Sequence, residues 1–111
     1  MSIQIPKCKI TILKRTIHQD LIKEYLTDDC HSLNPCERFQ DGQEFVLESE
    51  VDFQKVPEGF CDWAWADIRK DVLFVAFGGN MPGYKERGMA ITGCSDWFRP
   101  VIFKVERMKD D

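Results

Sequence analysis

The chain has 111 residues, 43% of them hydrophobic, including eight Phe and three Trp. This length and this apolar content exclude a disordered chain and predict one globular domain, residues 1–111, with a substantial core. The formal net charge of −4 provides no general attraction to nucleic acid or to anionic lipid. We therefore expect neither nucleic acid nor a membrane as a partner.

Export and anchoring signals are not evident in the sequence. Residues 1–7 lack the basic and apolar regions of a signal peptide, and the longest apolar run, residues 72–77, is too short to cross a bilayer. These features predict a cytoplasmic protein. The five cysteines form an odd set without a C-x-x-C pair, which indicates neither a disulfide framework nor a zinc ribbon, so we expect reduced thiols.

The first two predicted elements are a strand and a short helix. Apolar and polar residues alternate over residues 7–14, which is the two-residue period of a half-buried strand. Thr16 followed by Gln19 fits a capping box, and we expect the helix that it starts to end near Thr27. The apolar face of this helix comprises Leu21, Ile22, Tyr25 and Leu26.

A long loop and a second strand follow. Residues 28–42 are polar and irregular, and they carry Cys30, His31 and Cys36. Residues 44–48 are predicted to form a strand. The next segment, to Gly59, is a connection.

A long helix is predicted over residues 61–77. Its apolar residues keep the i, i+3/i+4 spacing of one buried face, and Gly78 and Gly79 supply its end. The face comprises Cys61, Trp65, Ile68, Val72, Val75 and Ala76, widened by Trp63, Phe74 and Phe77.

Two further strands, over residues 89–94 and from Val101 onward, complete the chain as a hairpin. The chain order β-α-β-α-β-β predicts an α+β fold. We expect a small, mostly antiparallel sheet with the long helix packed on one face.

Cys61 is the leading candidate for a functional residue because it lies at the predicted start of the long helix. Free N–H groups and the positive end of the helix dipole favour a thiolate there. Asp62 and the aromatic neighbours oppose it through charge repulsion and desolvation, so the net direction stays open. The alternative is that Cys61 is a small buried residue that packs the helix start.

A three-cysteine metal site is a second hypothesis. Cys36 and Cys94 lie at the ends of predicted elements, which can converge with Cys61 at one edge of a small α+β domain. Zinc or iron would be the metal, with His31 or Asp96 as a fourth ligand. No pair of these residues has a recognised metal-ligand spacing, so unlinked thiols remain the alternative.

Other candidate residues surround this segment. Asp67 would act as a general acid or base if it is buried, whereas Asp62 is explained by helix capping. Trp63 and Trp65 would contact a ligand, although indoles in such a helix more often form core. Arg99 would bind a carboxylate or stack on an indole, or it is a surface residue at a strand start.

The sequence also resembles a family of small, uncharacterised bacterial and archaeal proteins. The resemblance is carried by four motif regions: Lys7 to Arg15, Pro35-Cys36-Glu37-Arg38-Phe39 with Gly42 to Phe45, Gly59-Phe60-Cys61-Asp62-Trp63-Ala64-Trp65-Ala66-Asp67-Ile68, and Arg99-Pro100-Val101-Ile102-Phe103-Lys104 with the residues to Arg107. It implies that the cysteines at 36, 61 and 94, the indoles at 63 and 65, and Asp67 and Arg99 occupy family motif positions. It implies no activity.

Two hypotheses of function therefore stay open, and the sequence does not decide whether the protein is an enzyme. The first is a cysteine-centred site for a small ligand, a metal or catalysis, with Cys61 as nucleophile or ligand. The second is a non-catalytic binding or homo-oligomer-forming module with structural cysteines, in which an apolar helix face and the Trp97–Phe98 loop make the contact.

Overall fold

The computed structural model describes residues 7–108. Its elements are β1 (Cys8–Arg15), α1 (Gln19–Tyr25), β2 (Glu44–Leu47), α2 (Asp62–Ala76), β3 (Met89–Gly93) and β4 (Val101–Arg107). Two single 3-10 turns, Asp28–Cys30 and Glu50–Phe53, lie in the connections before β2 and α2. The predicted chain order is therefore confirmed.

The four strands form one antiparallel sheet in the spatial order β2-β1-β4-β3. β1 and β4 are the central pair, and Ile10 faces Val105 in their register. A bulge interrupts this pairing between Ile12 and Lys14. The α+β class and the β3–β4 hairpin are confirmed, while the pairing of the first strand with the last was not predicted.

The core lies between α2 and one face of the sheet. The alternating residues of β1 and β4 that face α2 are fully or almost fully buried, and α2 covers them with residues spaced three and four apart. These residues are Cys8, Ile10, Ile12, Val101, Phe103 and Val105 from the strands, and Ala64, Trp65, Ile68, Val72, Val75 and Ala76 from the helix.

The predicted loops also contribute aromatic residues to this core. Phe39, in the long loop before β2, is 2% exposed, and its ring lies edge-on to Phe60 and Phe103 at 4.9 Å and 5.4 Å between centroids. Such edge-to-face pairs add to the free energy of area burial. The loop is therefore anchored to the core immediately after Cys36.

The prediction for the start of α1 was wrong. The Thr16 hydroxyl donates to the carbonyl of Pro100 at 2.6 Å, and α1 begins at Gln19 without a side-chain cap. Ile22 is buried, but Tyr25 is 71% exposed, so the predicted apolar face does not pack as a unit. A tertiary hydrogen bond between Thr16 and the β3–β4 connection replaces the local cap.

The prediction that three aromatic residues widen the buried face of α2 was also wrong. Trp63, Phe74 and Phe77 are 84%, 42% and 63% exposed. Successive helical residues are rotated by about 100°, so a residue two positions from a buried one points away from the core. Trp63 stands in this relation to Trp65. Gly78, with φ of 96°, ends the helix as predicted.

Within residues 7–108, neither helix has the length and apolar character needed to cross a bilayer.

Candidate functional site

Three of the five cysteines line one cavity. Cys36 comes from the loop before β2, Cys61 from the residue that precedes α2, and Cys94 from the residue that follows β3. The cavity has a volume of about 740 Å³, which falls in the range of small-molecule sites. All three residues are half-buried and free thiols. The structure thus places three cysteines that are far apart in sequence around one cavity.

Cys61 caps α2 with its backbone. It has extended dihedral angles, and its carbonyl accepts the first intrahelical hydrogen bond from the Trp65 amide at 2.9 Å. Its side chain makes no capping hydrogen bond. The sulfur is therefore not used to cap the helix, and Cys61 lines the cavity together with Asp62.

Cys94 makes the more specific sulfur contact. The main-chain amide of Val101 donates a hydrogen bond to the Cys94 sulfur at 3.3 Å, and the Cys94 amide donates to the Val101 carbonyl at 3.2 Å. In a regular antiparallel pair the amide of the facing residue donates to a carbonyl. Here the sulfur occupies the acceptor position, so one donor of the β4 start points at a cavity thiol.

Asp67 ties α2 to the segment that carries Cys94. One carboxylate oxygen of Asp67 accepts hydrogen bonds from both the amide and the hydroxyl of Ser95, at 2.7 Å and 2.8 Å. One turn later, Asp71 accepts a hydrogen bond from the Thr92 hydroxyl at 2.6 Å. Two carboxylates on one side of α2 therefore fix the end of β3 against the helix.

Arg99 joins two loops at the cavity edge. Its guanidinium donates to the carbonyl of Asn34 at 3.1 Å and lies 3.7 Å from the Asp96 carboxylate. Asp96 in turn accepts the amides of Phe98 and Arg99, both at 3.1 Å. Arg99 and Asp96 both line the cavity, so this pair connects the Cys94 loop to the Cys36 loop.

The two predicted ligand-binding indoles have different positions. Trp63 lines the cavity and is highly exposed. Trp65 is 5% exposed and packs against Phe60, with 6.0 Å between ring centroids. Trp65 does not line the cavity, so its predicted contact with a ligand there is not found. It is a core residue beneath the site.

The predicted three-cysteine metal centre is not assembled. Among residues 7–108, no group of three or more His, Cys, Asp or Glu side chains could hold a metal ion. Asp96 shares the cavity with the thiols, whereas His31 lies elsewhere, with its Nε2 3.1 Å from the Leu26 carbonyl. Residues can line the same cavity without their side chains lying within bonding distance of one metal ion.

The other two cysteines lie outside the cavity. Cys8 is fully buried in β1, and burial raises the pKa of its thiol from 9.0 to about 11, slightly offset by the positive charge of Arg107. Cys30 is half-buried, with its sulfur 3.8 Å from the Thr27 hydroxyl. Cys30 therefore provides a natural comparison for the half-buried cavity thiols.

Two polar cavity residues, Arg38 and Ser95, were not among the sequence candidates. Arg38 borders the cavity and donates to the Phe60 carbonyl at 3.5 Å, and Ser95 is the partner of Asp67. Arg38 lies in the same motif region as Cys36, and Ser95 directly follows Cys94; these positions were the signals that could have pointed to them. A serine in a polar loop and an arginine in an irregular loop carry no pattern of their own.

Comparison with family models, curated proteins and solved structures found no significant match to this chain. The resemblance described from the motifs stays a prediction.

Proposed function

We propose that this protein binds a small molecule in the cavity at the start of α2 and holds it or reacts with it through cysteine sulfur. The observation that carries the proposal is that Cys36, Cys61 and Cys94, from three separate segments, line one cavity of about 740 Å³. If these cysteines served only as core residues, they would be expected to be buried as fully as Cys8, which is 0% exposed.

Four cavity residues have positions or contacts that support a role. Cys61 borders the ligand at the start of α2. Trp63 offers an exposed indole face for stacking, and Arg99 offers a guanidinium edge beside its contacts with Asn34 and Asp96. Asp67 acts through Ser95, because its hydrogen-bonded oxygen already has two donors.

The test compares cavity thiols with Cys30 in the same molecule. Reduced, folded protein is treated with a limiting amount of iodoacetamide, and the modified cysteines are quantified by peptide mapping at short times. We expect modification in the cavity to exceed that of Cys30, although Cys30 has the same half-buried status. With a bulky maleimide we expect the difference in rate between the cavity cysteines and Cys30 to disappear, because the cavity admits the small reagent more readily.

Equal or slower modification of all three cavity cysteines relative to Cys30 would contradict the proposal. Cys8 serves as the internal control for unfolding, because its fully buried thiol should react only when the chain opens. A sample in which Cys8 reacts as fast as Cys30 is unfolded.

The second candidate is a non-catalytic module that binds another protein surface or a second copy of this chain. It is supported by the exposure of Trp63 at 84% and Trp97 at 72%, since exposed indoles are enriched at interfaces. Sedimentation velocity of wild type and a Trp63→Ala, Trp97→Ala double variant tests the homo-oligomer form. A monomeric wild type at high concentration excludes it.

A further inference from the structure

We infer that Cys94 is the attacking thiol of this cavity and that its substrate class is a low-molecular-weight disulfide. The inference rests on the proposed function of the same cavity and assigns the reacting sulfur and the chemistry. Cys61, the leading candidate in sequence, then lines the cavity without being the first nucleophile.

The contact between Val101 and Cys94 supplies the reason for choosing this sulfur. The Val101 amide is held by the β4 backbone and donates to the Cys94 sulfur at 3.3 Å. A hydrogen bond to a charged acceptor is stronger than one to a neutral acceptor, so this fixed donor suits the charged sulfur that attacks a disulfide. Cys61 has no side-chain capping hydrogen bond that would do the same.

The position of Cys94 is fixed from both sides. Its own amide donates to the Val101 carbonyl at 3.2 Å, which holds the residue to the start of β4. The next residue, Ser95, gives two hydrogen bonds to Asp67 of α2. A nucleophile held in this way does not lose conformational freedom when it reacts, which is the advantage of a preorganised site.

The side chains around the cavity indicate the substrate class. Neither histidine of residues 7–108, His18 or His31, lines the cavity; its titratable groups are the three thiols, three carboxylates and two guanidinium groups. Cleavage of an amide or an alkyl ester requires a proton donor for a poor leaving group, most often a histidine. Asp67 and Asp96, two of the three cavity carboxylates, each already accept two hydrogen bonds from the protein. A thiolate leaving group needs no such donor, and its departure is the defining step of thiol–disulfide exchange.

The reaction is balanced without a further co-reactant. The Cys94 thiolate attacks one sulfur of the substrate disulfide, and a new bond forms between the Cys94 sulfur and that atom. The substrate sulfur–sulfur bond breaks, and its electron pair leaves on the second sulfur as a thiolate, which takes a proton from water. The protein thiol is oxidised to a mixed disulfide, and the departing half of the substrate is reduced to a thiol.

The test uses bis(hydroxyethyl) disulfide. Because this probe is uncharged, the charged side chains of the cavity neither attract nor repel it. Reduced wild type, Cys94→Ser and the matched control Cys30→Ser are mixed with the probe, quenched with acid at short times, and analysed by intact mass and peptide mapping. We expect the first adduct on Cys94, at times before any protein disulfide has formed. Cys94→Ser lacks the attacking sulfur and should lose this fast adduct, whereas Cys30→Ser should keep it.

The outcomes separate this inference from the proposed function. If the cavity thiols react faster than Cys30 but the first product lies on Cys36 or Cys61, or joins those two, the assignment of Cys94 is wrong and the proposed function stands. If no cavity thiol exceeds Cys30 with either iodoacetamide or the disulfide, both fail. If circular dichroism shows that Cys94→Ser folds poorly, the site of the first adduct in wild type alone tests the assignment of Cys94.

Discussion

The carboxylate of Asp67 accepts the amide and the hydroxyl of Ser95 through the same oxygen atom, at 2.7 Å and 2.8 Å. This pair connects the first half of α2 to the residue that follows Cys94, across 28 positions of sequence. It gives Asp67 a mechanical role that its position in the motif did not indicate. The geometry of one cavity wall depends on it.

Replacing Asp67 by Ala should therefore lower the free energy of unfolding by about 1–3 kcal/mol, because two donors of Ser95 lose their acceptor. Asp62→Ala is the matched control, since Asp62 lies in the first turn of the same helix and its loss removes only a dipole interaction of up to about 1 kcal/mol. Urea unfolding followed by circular dichroism measures both. Equal effects of the two substitutions would show that the Ser95 hydrogen bonds contribute little to stability.

The buried thiol of Cys8 should make stability depend on pH in the alkaline range. Burial raises its pKa to about 11 in the folded protein, whereas the unfolded chain ionises it near 9.0. Above the lower value the unfolded state holds fewer protons than the folded state, so the stability contribution is complete below pH 9.0 and is lost as pH rises toward 11. The expected loss is on the order of 2 kcal/mol by the upper end of this range.

The variant Cys8→Ala isolates this effect. Its absolute stability falls because the core loses a sulfur atom, but its unfolding free energy should decline less steeply with alkaline pH than that of wild type. Cys30→Ala, at a half-buried position, controls for the general effect of removing a thiol. Parallel pH profiles for wild type and Cys8→Ala would contradict the prediction.

Truncation of the two tryptophans at the start of α2 should have very different effects on the free energy of unfolding. Trp65→Ala should lower the free energy of unfolding by about 3–5 kcal/mol, because the ring is 5% exposed in the core. Trp63→Ala should change it by no more than about 0.5 kcal/mol, because the ring is 84% exposed. Chemical denaturation of both variants measures the difference. Similar losses would mean that Trp63 packs against the protein in solution.

Arg99 should control the accessibility of Cys36. Its guanidinium holds the Asn34 carbonyl at 3.1 Å, two residues before Cys36, so Arg99→Ala releases one attachment of that loop. We expect faster iodoacetamide modification of Cys36 and an unchanged rate at Cys30. Arg69→Ala is the control, because Arg69 makes a similar hydrogen bond, to the Phe53 carbonyl at 3.2 Å, that does not involve the Cys36 loop. An unaltered Cys36 rate in Arg99→Ala would show that the loop is held by other contacts.

Much of the fold was predictable because its signals are local. The alternation over residues 7–14, the helical spacing after Cys61 and the terminal hairpin each lie within one segment, and each corresponds to an observed element. The capping box at Thr16 failed because the hydroxyl found a more distant acceptor, Pro100. Phe39 was missed as a core residue because an irregular loop has no periodicity that would reveal a buried position.

The sequence by itself determined the α+β class, the order of the elements and the position of Cys61 at the start of the long helix, since propensity and hydrophobic period act between near neighbours. Only the tertiary structure decided that β1 lies between β2 and β4, that Trp63 faces solvent while Trp65 is core, and that Cys36, Cys61 and Cys94 share a cavity. The hydrogen bonds from the Val101 amide to the Cys94 sulfur and from Ser95 to Asp67 also form only in the tertiary structure. These relationships join residues whose proximity arises when the sheet and α2 bury one another, and no local pattern encodes that packing.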